Sequence, residues 1–168
     1  QKFTAFHICE LPGAFIAATN HFVKTNTTLE YDWVAQSLFS LSNKNMLKDQ
    51  YGMYEYHNDR YDFGVKKNGD IYDKENIKYY ITKYFDRDFF IITSDCGESL
   101  NVDTKFKEDQ MWGIHWHQLV MAIGLNTNYY FGKLYSLYSQ SINKLVMIAS
   151  LFYEKVFIYR PYTTKITS

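Results

Sequence analysis

His7-Ile8-Cys9-Glu10-Leu11-Pro12-Gly13-Ala14-Phe15 decides the fold: an apolar run ends in an acid, breaks at Pro-Gly, and reopens as a small-residue segment. Upstream, Phe3, Ala5, Phe6 and Ile8 read as a buried strand. Downstream, Ala14, Phe15, Ala17, Ala18 and Phe22 recur at helical spacing. Gly13 sits at the junction, where a residue without Cβ lets a ligand approach the backbone. The N–H groups of the new helix favour negative groups there. Taken alone the turn is equally an ordinary strand-to-helix connection, since it has one glycine and no G-x-G-x-x-G spacing.

The rest of the chain repeats that unit. Tyr31 to Leu38 reads as a short strand, followed by a polar stretch from Ser42 to Asp88 whose clearest turn is Asn68-Gly69-Asp70. Ile71, Ile77, Tyr80, Ile81 and Tyr84 have helical spacing and predict a helix over roughly 74–85. Phe89-Phe90-Ile91-Ile92-Thr93 is a continuous apolar run ending at Ser94-Asp95, the pattern of a central parallel strand. Trp112, Trp116, Leu119, Val120 and Ile123 mark a helix, Tyr129 to Tyr135 a strand, and Ile142 to Phe152 a further helix. Val156 to Tyr159 reads as one more strand, closed by Arg160-Pro161. Repeated strand–helix units predict an α/β fold with a mostly parallel central sheet and helices on both faces. Ligands in such sheets sit at the carboxyl ends of the strands near the topological switch point.

Composition bounds the function. The 168 residues match one domain of common size, and 46% hydrophobic with 21% charged residues is a globular balance. The apolar runs are too short to span a bilayer, so no membrane partner is expected. Lysine plus arginine equals aspartate plus glutamate at 18 each, so no global field attracts nucleic acid, and an RNA contact must come from a local patch. Sixteen tyrosines and thirteen phenylalanines supply aromatic faces, some of them exposed, that stack on bases. Two cysteines, Cys9 and Cys96, without a secretory leader pattern read as free thiols in a reducing, intracellular compartment.

Glu10, Asp95 and Lys133 all fall at or near carboxyl ends of predicted strands, the edge where such sheets bind ligands. A lysine inside Tyr129 to Tyr135 is costly to bury unless paired, and Asp95 is the natural partner. Such a pair serves proton abstraction from an alcohol if the lysine pKa falls from ~10.4 toward working pH. His115 and His117 are two apart and point to different helix faces, and two cysteines do not make a structural zinc site, so no metal is expected. Lys66-Lys67, Arg160 and Lys165 are candidate phosphate contacts whose ordinary fate is a solvated charge.

Glu10-Leu-Pro-Gly-Ala-Phe15 with Asn20-His21-Phe22, Trp33-Val-Ala, Asn68-Gly69-Asp70-Ile71, Ser94-Asp95-Cys-Gly97, Gly132-Lys133-Leu134 and Arg160-Pro-Tyr-Thr-Thr-Lys165 stand in a definite order. In that order the chain resembles FtsJ/RrmJ-like 2′-O-ribose methyltransferases, closest to the Adrift, or cap-2, branch and its relatives in large DNA viruses. The resemblance implies a Rossmann-like methyltransferase sandwich that binds S-adenosylmethionine through Glu10, Pro12, Gly13, Tyr31, Asp70 and Asp95. It implies capped RNA as substrate, no DNA, and other capping or transcription proteins as partners. A viral protein of this kind is expected in the cytoplasm, a cellular one in nucleus or cytoplasm. The alternative is a catalytically impaired subunit of a capping or polymerase complex. Of the catalytic Lys-Asp-Lys-Glu tetrad, Asp95 matches the aspartate and Lys133 the second lysine. The first lysine and final glutamate have no clear counterpart, although Lys2 and Glu98 are candidates. This implies that residues 1–168 are one domain cut from a longer chain. Thr127-Asn128 stands where relatives commonly carry Gly-Gly.

Overall fold

A computed structural model describes residues 1–39, 49–97 and 107–162. Strands β1 (Lys2–Ile8), β2 (Glu30–Gln36), β3 (Ile91–Ser94) and β4 (Tyr129–Gly132) form one sheet in the order β2-β1-β3-β4, every neighbouring pair parallel. Helices α1 (Ala14–Asn26), α2 (Met53–Tyr56), α3 (Lys74–Lys83), α4 (Lys107–Gly124) and α5 (Gln140–Phe152) fill the connections and follow the last strand. The order reverses at β1: the chain steps outward to β2 and then returns past β1 to β3. The switch point therefore lies between β1 and β3. The α/β class, the parallel sheet and the Rossmann-like arrangement agree with the sequence reading.

Period-two alternation in β1 and β2 sends side chains to two separate cores. On one face Phe6, Ile8, Val34 and Ile92 pack with Ile77 and Tyr80 of α3 and Met111, Ile114, Met121 and Ala122 of α4. On the other, Ala5, Trp33 and Ala35 pack with Ile16 of α1, Leu11 and Tyr61. Helices therefore cover both faces, and each helix start has a local cause. Asp73 accepts the Glu75 N–H at 2.9 Å to cap α3, and Ser139 accepts the Ile142 N–H at 3.2 Å to cap α5. Thr127 braces the β4 entry. Its hydroxyl lies 3.1 Å from the Phe89 carbonyl and accepts the Tyr129 N–H at 3.4 Å.

Several element ends differ from expectation: β4, read to Tyr135, stops at Gly132 and leaves Lys133 just past the strand, and α3 stops at Lys83. β2 stops at Gln36 rather than Leu38, and β3 begins at Ile91 because Phe89 turns into the core against Phe6. Val156 to Tyr159 is not a strand: it makes no ladder with β4, and Phe157 is 83% exposed. An apolar run becomes a strand only when an edge takes up its backbone groups.

The Asn68-Gly69-Asp70 turn is held against the end of β2. Gly69 N–H donates to Phe63 O at 2.7 Å, Phe39 N–H donates to Asn68 O at 2.7 Å, and the Gln36 side-chain amide donates to Gly69 O. Gly69 has φ +62°, and a Cβ there would sit 1.7 Å from Ser37 O. Gly69→Ala is expected to destabilise the fold by more than about 1 kcal/mol, since both backbone and space are incompatible. A urea midpoint equal to wild type would show that this turn does not constrain β2.

Candidate functional site

Three side chains are delivered to one edge by the same device: each stands just past a strand, its N–H bonded to the end of a neighbouring strand. Glu10 N–H donates to Gln36 O (3.0 Å), Asp95 N–H to Ile8 O (3.3 Å) and Lys133 N–H to Ser94 O (3.0 Å). The parallel register makes Glu10, Asp95 and Lys133 co-line a cleft of about 330 Å³, together with Cys9, Leu11, Pro12, Ala14, Gly97 and Tyr135. That volume lies at the lower end of the range for small-molecule sites.

Glu10 is 3% exposed. One carboxylate oxygen, Oε1, accepts the N–H groups of Phe15 (2.6 Å) and Ile16 (3.2 Å), so it caps α1 from outside the helix, whose own N-cap Gly13 has no side chain to offer. The other, Oε2, is buried with no hydrogen-bond partner among the described residues. Burial pushes the carboxyl up to about 8, and the Asp95 charge adds to the rise, against the lowering by the two helix N–H groups. The helix end expected to favour negative ligands is thus satisfied from within the chain.

Across the cleft, Lys133 Nζ lies 2.8 Å from Asp95 Oδ1 and 3.1 Å from Oδ2. Partial burial pulls the Lys133 pKa down, but the hydrogen bond and charge of Asp95 outweigh it, and the group ends above the ordinary lysine value. The condition set for a lysine base is not met. Lys133 stands as an ammonium, a donor of positive charge and hydrogen bonds rather than a proton acceptor.

Other expected site residues are placed differently. Pro12 lines the cleft, and its peptide bond to Leu11 is cis. Gly13 is buried at φ +109°, and a Cβ there would meet Met53 Cγ at 2.4 Å, so its missing side chain admits Met53 of α2 rather than a ligand. Tyr31 does not line the cleft. It lies opposite Phe3 at the amino half of β2, with its hydroxyl 2.6 Å from His7 Nε2. Asp70 is half-buried near the carboxyl end of β2 and accepts the Tyr72 N–H at 2.8 Å. It is carried there by the Gln36–Gly69 contact but stands outside the cleft wall.

The free-thiol reading of Cys9 and Cys96 is corrected. The two form a disulfide with Cα atoms 5.0 Å apart, because the turn after β1 and the loop after β3 run side by side across the switch point. His115 and His117 are engaged within α4, at Gln118 (3.3 Å) and the Gly113 carbonyl (2.6 Å). No cluster of three or more His, Cys, Asp or Glu side chains suited to a metal ion occurs among the described residues. Lys66 is held by Asp73 (2.6 Å) and Glu75 (3.0 Å), whereas Lys67 and Arg160 are exposed. Lys2 sits at the opposite, amino edge of β1, 3.8 Å from Glu30. Glu98 and Lys165 lie outside the described residues. Among the described residues, no helix is long and apolar enough to cross a membrane.

Two participants were missed. Gln36 is buried, and its side chain joins the Cys9 N–H (3.1 Å) to the Gly69 carbonyl, tying the β1 turn to the Asp70 loop. A buried glutamine closing a strand is the signal that could have found it, since its amide needs partners. Tyr135, in the cleft wall, followed Lys133 in the sequence without any pattern to single it out.

No family model matches the chain. An uncharacterized protein of Acanthamoeba polyphaga mimivirus is 36% identical over 99 residues, 58% of this chain and 12% of its own length. A probable methyltransferase of African swine fever virus is 29% identical over 180 residues, covering 98% of this chain and 42% of the relative. A cap-specific mRNA (nucleoside-2′-O-)-methyltransferase 2 of Mus musculus is 27% identical over 177 residues, covering 98% of this chain and 22% of the relative. The chain thus spans less than half the length of these relatives, and it is related, along almost its whole length, to methyltransferases of the viral and cap-specific kind.

Proposed function

We propose that this chain is the catalytic domain of an S-adenosylmethionine-dependent RNA methyltransferase acting on a ribose 2′-hydroxyl near a messenger-RNA 5′ cap. The observation that carries the reading is the Lys133–Asp95 pair, 2.8 Å apart in the same cleft as the Glu10 turn. A chain related to a cap-specific 2′-O-methyltransferase thus has a charged pair beside a small-molecule site.

The residues fit the methyl donor. Glu10 Oε2 is a buried carboxyl oxygen without a hydrogen-bond partner among the described residues, and because burial keeps that carboxyl protonated near neutrality it suits a ligand hydroxyl, or a ligand ammonium that takes the place of the proton. Because Glu10 already satisfies the α1 N–H groups, the turn suits a ligand without a phosphate. Glu10, Pro12 and Ala14 would hold the donor. When bound, S-adenosylmethionine supplies an electrophilic methyl group.

The chain's own contribution is orientation and charge. The Lys133 ammonium would donate a hydrogen bond to the ribose 2′-oxygen and stabilise the negative charge that develops there as the oxygen takes up the methyl group and the hydroxyl proton passes to water at this half-exposed pair. Asp95 fixes where that ammonium stands. Such a site serves an acceptor hydroxyl presented by a nucleotide of capped RNA.

Ala14 tests the donor site without touching the core, because it is exposed at the first turn of α1 and lines the cleft. Ala14→Phe is expected to weaken S-adenosylmethionine binding at least tenfold, about 1.4 kcal/mol or more, with an unchanged urea midpoint. Titration calorimetry measures it, and undiminished affinity would remove the donor from this cleft.

A further inference from the structure

We propose that Tyr135 is a positioning residue for Lys133, its ring shelving the ammonium against Asp95, with Gly97 supplying the space in which that ring lies. The inference rests on the methyltransferase reading for its kinetic consequence and on geometry for its placement.

Lys133 is half exposed, its side chain 49% accessible and that of Asp95 31%. A lone ion pair in that setting is weak, because water competes for both groups and a flexible lysine stem samples many rotamers. A second contact from another direction confines it. The structure provides one: Lys133 Nζ lies 5.7 Å from the centroid of the Tyr135 ring, within cation–π range. The ring face attracts the same charge that Asp95 holds at 2.8 Å, so the ammonium has two fixed neighbours.

Tyr135 has little reason to be aromatic for packing. It is 61% exposed and belongs to neither core cluster, yet it is the one aromatic side chain in the cleft wall among the described residues. Across the cleft, Gly97 is matched to it. A Cβ on Gly97 would stand 2.5 Å from the Tyr135 hydroxyl. The glycine two residues past Asp95 thus allows the phenol to cross the loop that follows β3. Asp95 and Gly97 from one strand end and Lys133 and Tyr135 from the other therefore converge on a single charge. An added methyl at 97 meets only the far end of a side chain, so the ring tilts aside while the fold stays intact.

The test uses the full-length protein carrying this sequence, with Tyr135→Ala, Tyr135→Phe and Gly97→Ala. Two quantities are read: kcat and KM for methyl transfer to capped RNA, and the titration of the Lys133 ammonium by NMR of labelled lysine. Tyr135→Ala is expected to lower kcat about tenfold with the RNA KM within about twofold, and to shift the Lys133 titration downward. Tyr135→Phe, which keeps the ring, recovers most of both, and Gly97→Ala moves them in the same direction as Tyr135→Ala. An unchanged kcat in Tyr135→Ala, or a loss confined to KM, overturns the role and makes Tyr135 at most an RNA contact. If the wild-type protein transfers no methyl group, the functional reading fails. The NMR arm then decides alone: an unmoved Lys133 titration in Tyr135→Ala overturns the shelf, and a downward shift supports it.

Discussion

Lys133→Ala in the full-length protein is expected to lower kcat for methyl transfer by about 10²–10⁴-fold, the range for removing one preorganised donor or proton-handling group, while S-adenosylmethionine affinity changes less than about threefold. The separation follows from geometry. Lys133 and Asp95 stand on the β3–β4 side of the cleft, and Glu10, Pro12 and Ala14 on the β1–α1 side. Losing the ammonium leaves the donor wall intact and removes a charge needed mainly when the acceptor oxygen becomes negative. Since Asp95 favours the Lys133 ammonium, no fall in kcat from this residue is expected on the acid side of neutrality. Rapid-quench turnover and calorimetry measure the two halves independently. A Lys133→Ala protein with wild-type kcat would show that the pair is a surface ion pair beside the site.

The second large effect concerns Glu10 and pH. Its carboxyl is raised to about 8 in the fold, mainly by burial, against about 4.5 for the free side chain. The native state therefore holds a proton that the unfolded chain has released. Stability from this group is fully present below about pH 4.5 and is lost as pH rises toward 8. His7 opposes it in part of that window. Burial lowers its pKa to about 3, so it contributes stability above pH 6.5 that is lost as pH falls. Between roughly pH 4.5 and 6.5 the two slopes offset each other, and above that range Glu10 alone tilts the curve downward. Glu10→Gln keeps an oxygen for the Phe15 and Ile16 N–H groups but carries no ionisable proton. From pH 5 to pH 8, wild type should lose stability relative to Glu10→Gln by a few kcal/mol, about 1.4 for each tenfold change in protonation. Urea unfolding across that range measures it, and parallel curves would show that Glu10 is ionised in the native state.

The sheet was legible because its signals are local. Phe6 and Ile8, Ile91 and Ile92, and the Pro12-Gly13 break each announce strand or turn within a few residues, and parallel registration then brings Glu10, Asp95 and Lys133 to one edge. What escaped depended on contacts between distant residues. Val156 to Tyr159 has strand composition, but pairing is a property of the edge it meets. Cys9 and Cys96 are 87 residues apart, and nothing in their flanks states that the loops after β1 and β3 run alongside each other closely enough to bond. Gly13 was read as leaving room for a ligand, yet the neighbour that takes up the space is Met53, which lies within the polar stretch from Ser42 to Asp88 where no local pattern points to it. Lys133 was found from its oddity in an apolar strand. The sense of its pKa displacement required the 2.8 Å contact with Asp95.

Methyl transfer to a ribose hydroxyl is read out by following a labelled methyl group. The full-length protein is incubated with tritiated S-adenosylmethionine and capped RNAs that carry 2′-O-methyl groups at defined cap-proximal positions, and the labelled nucleoside is identified after digestion. Label is expected on a ribose 2′-oxygen, abolished when that one position is already methylated and nearly lost in Lys133→Ala. Label on a base, or donor binding without transfer to any capped RNA, would contradict it.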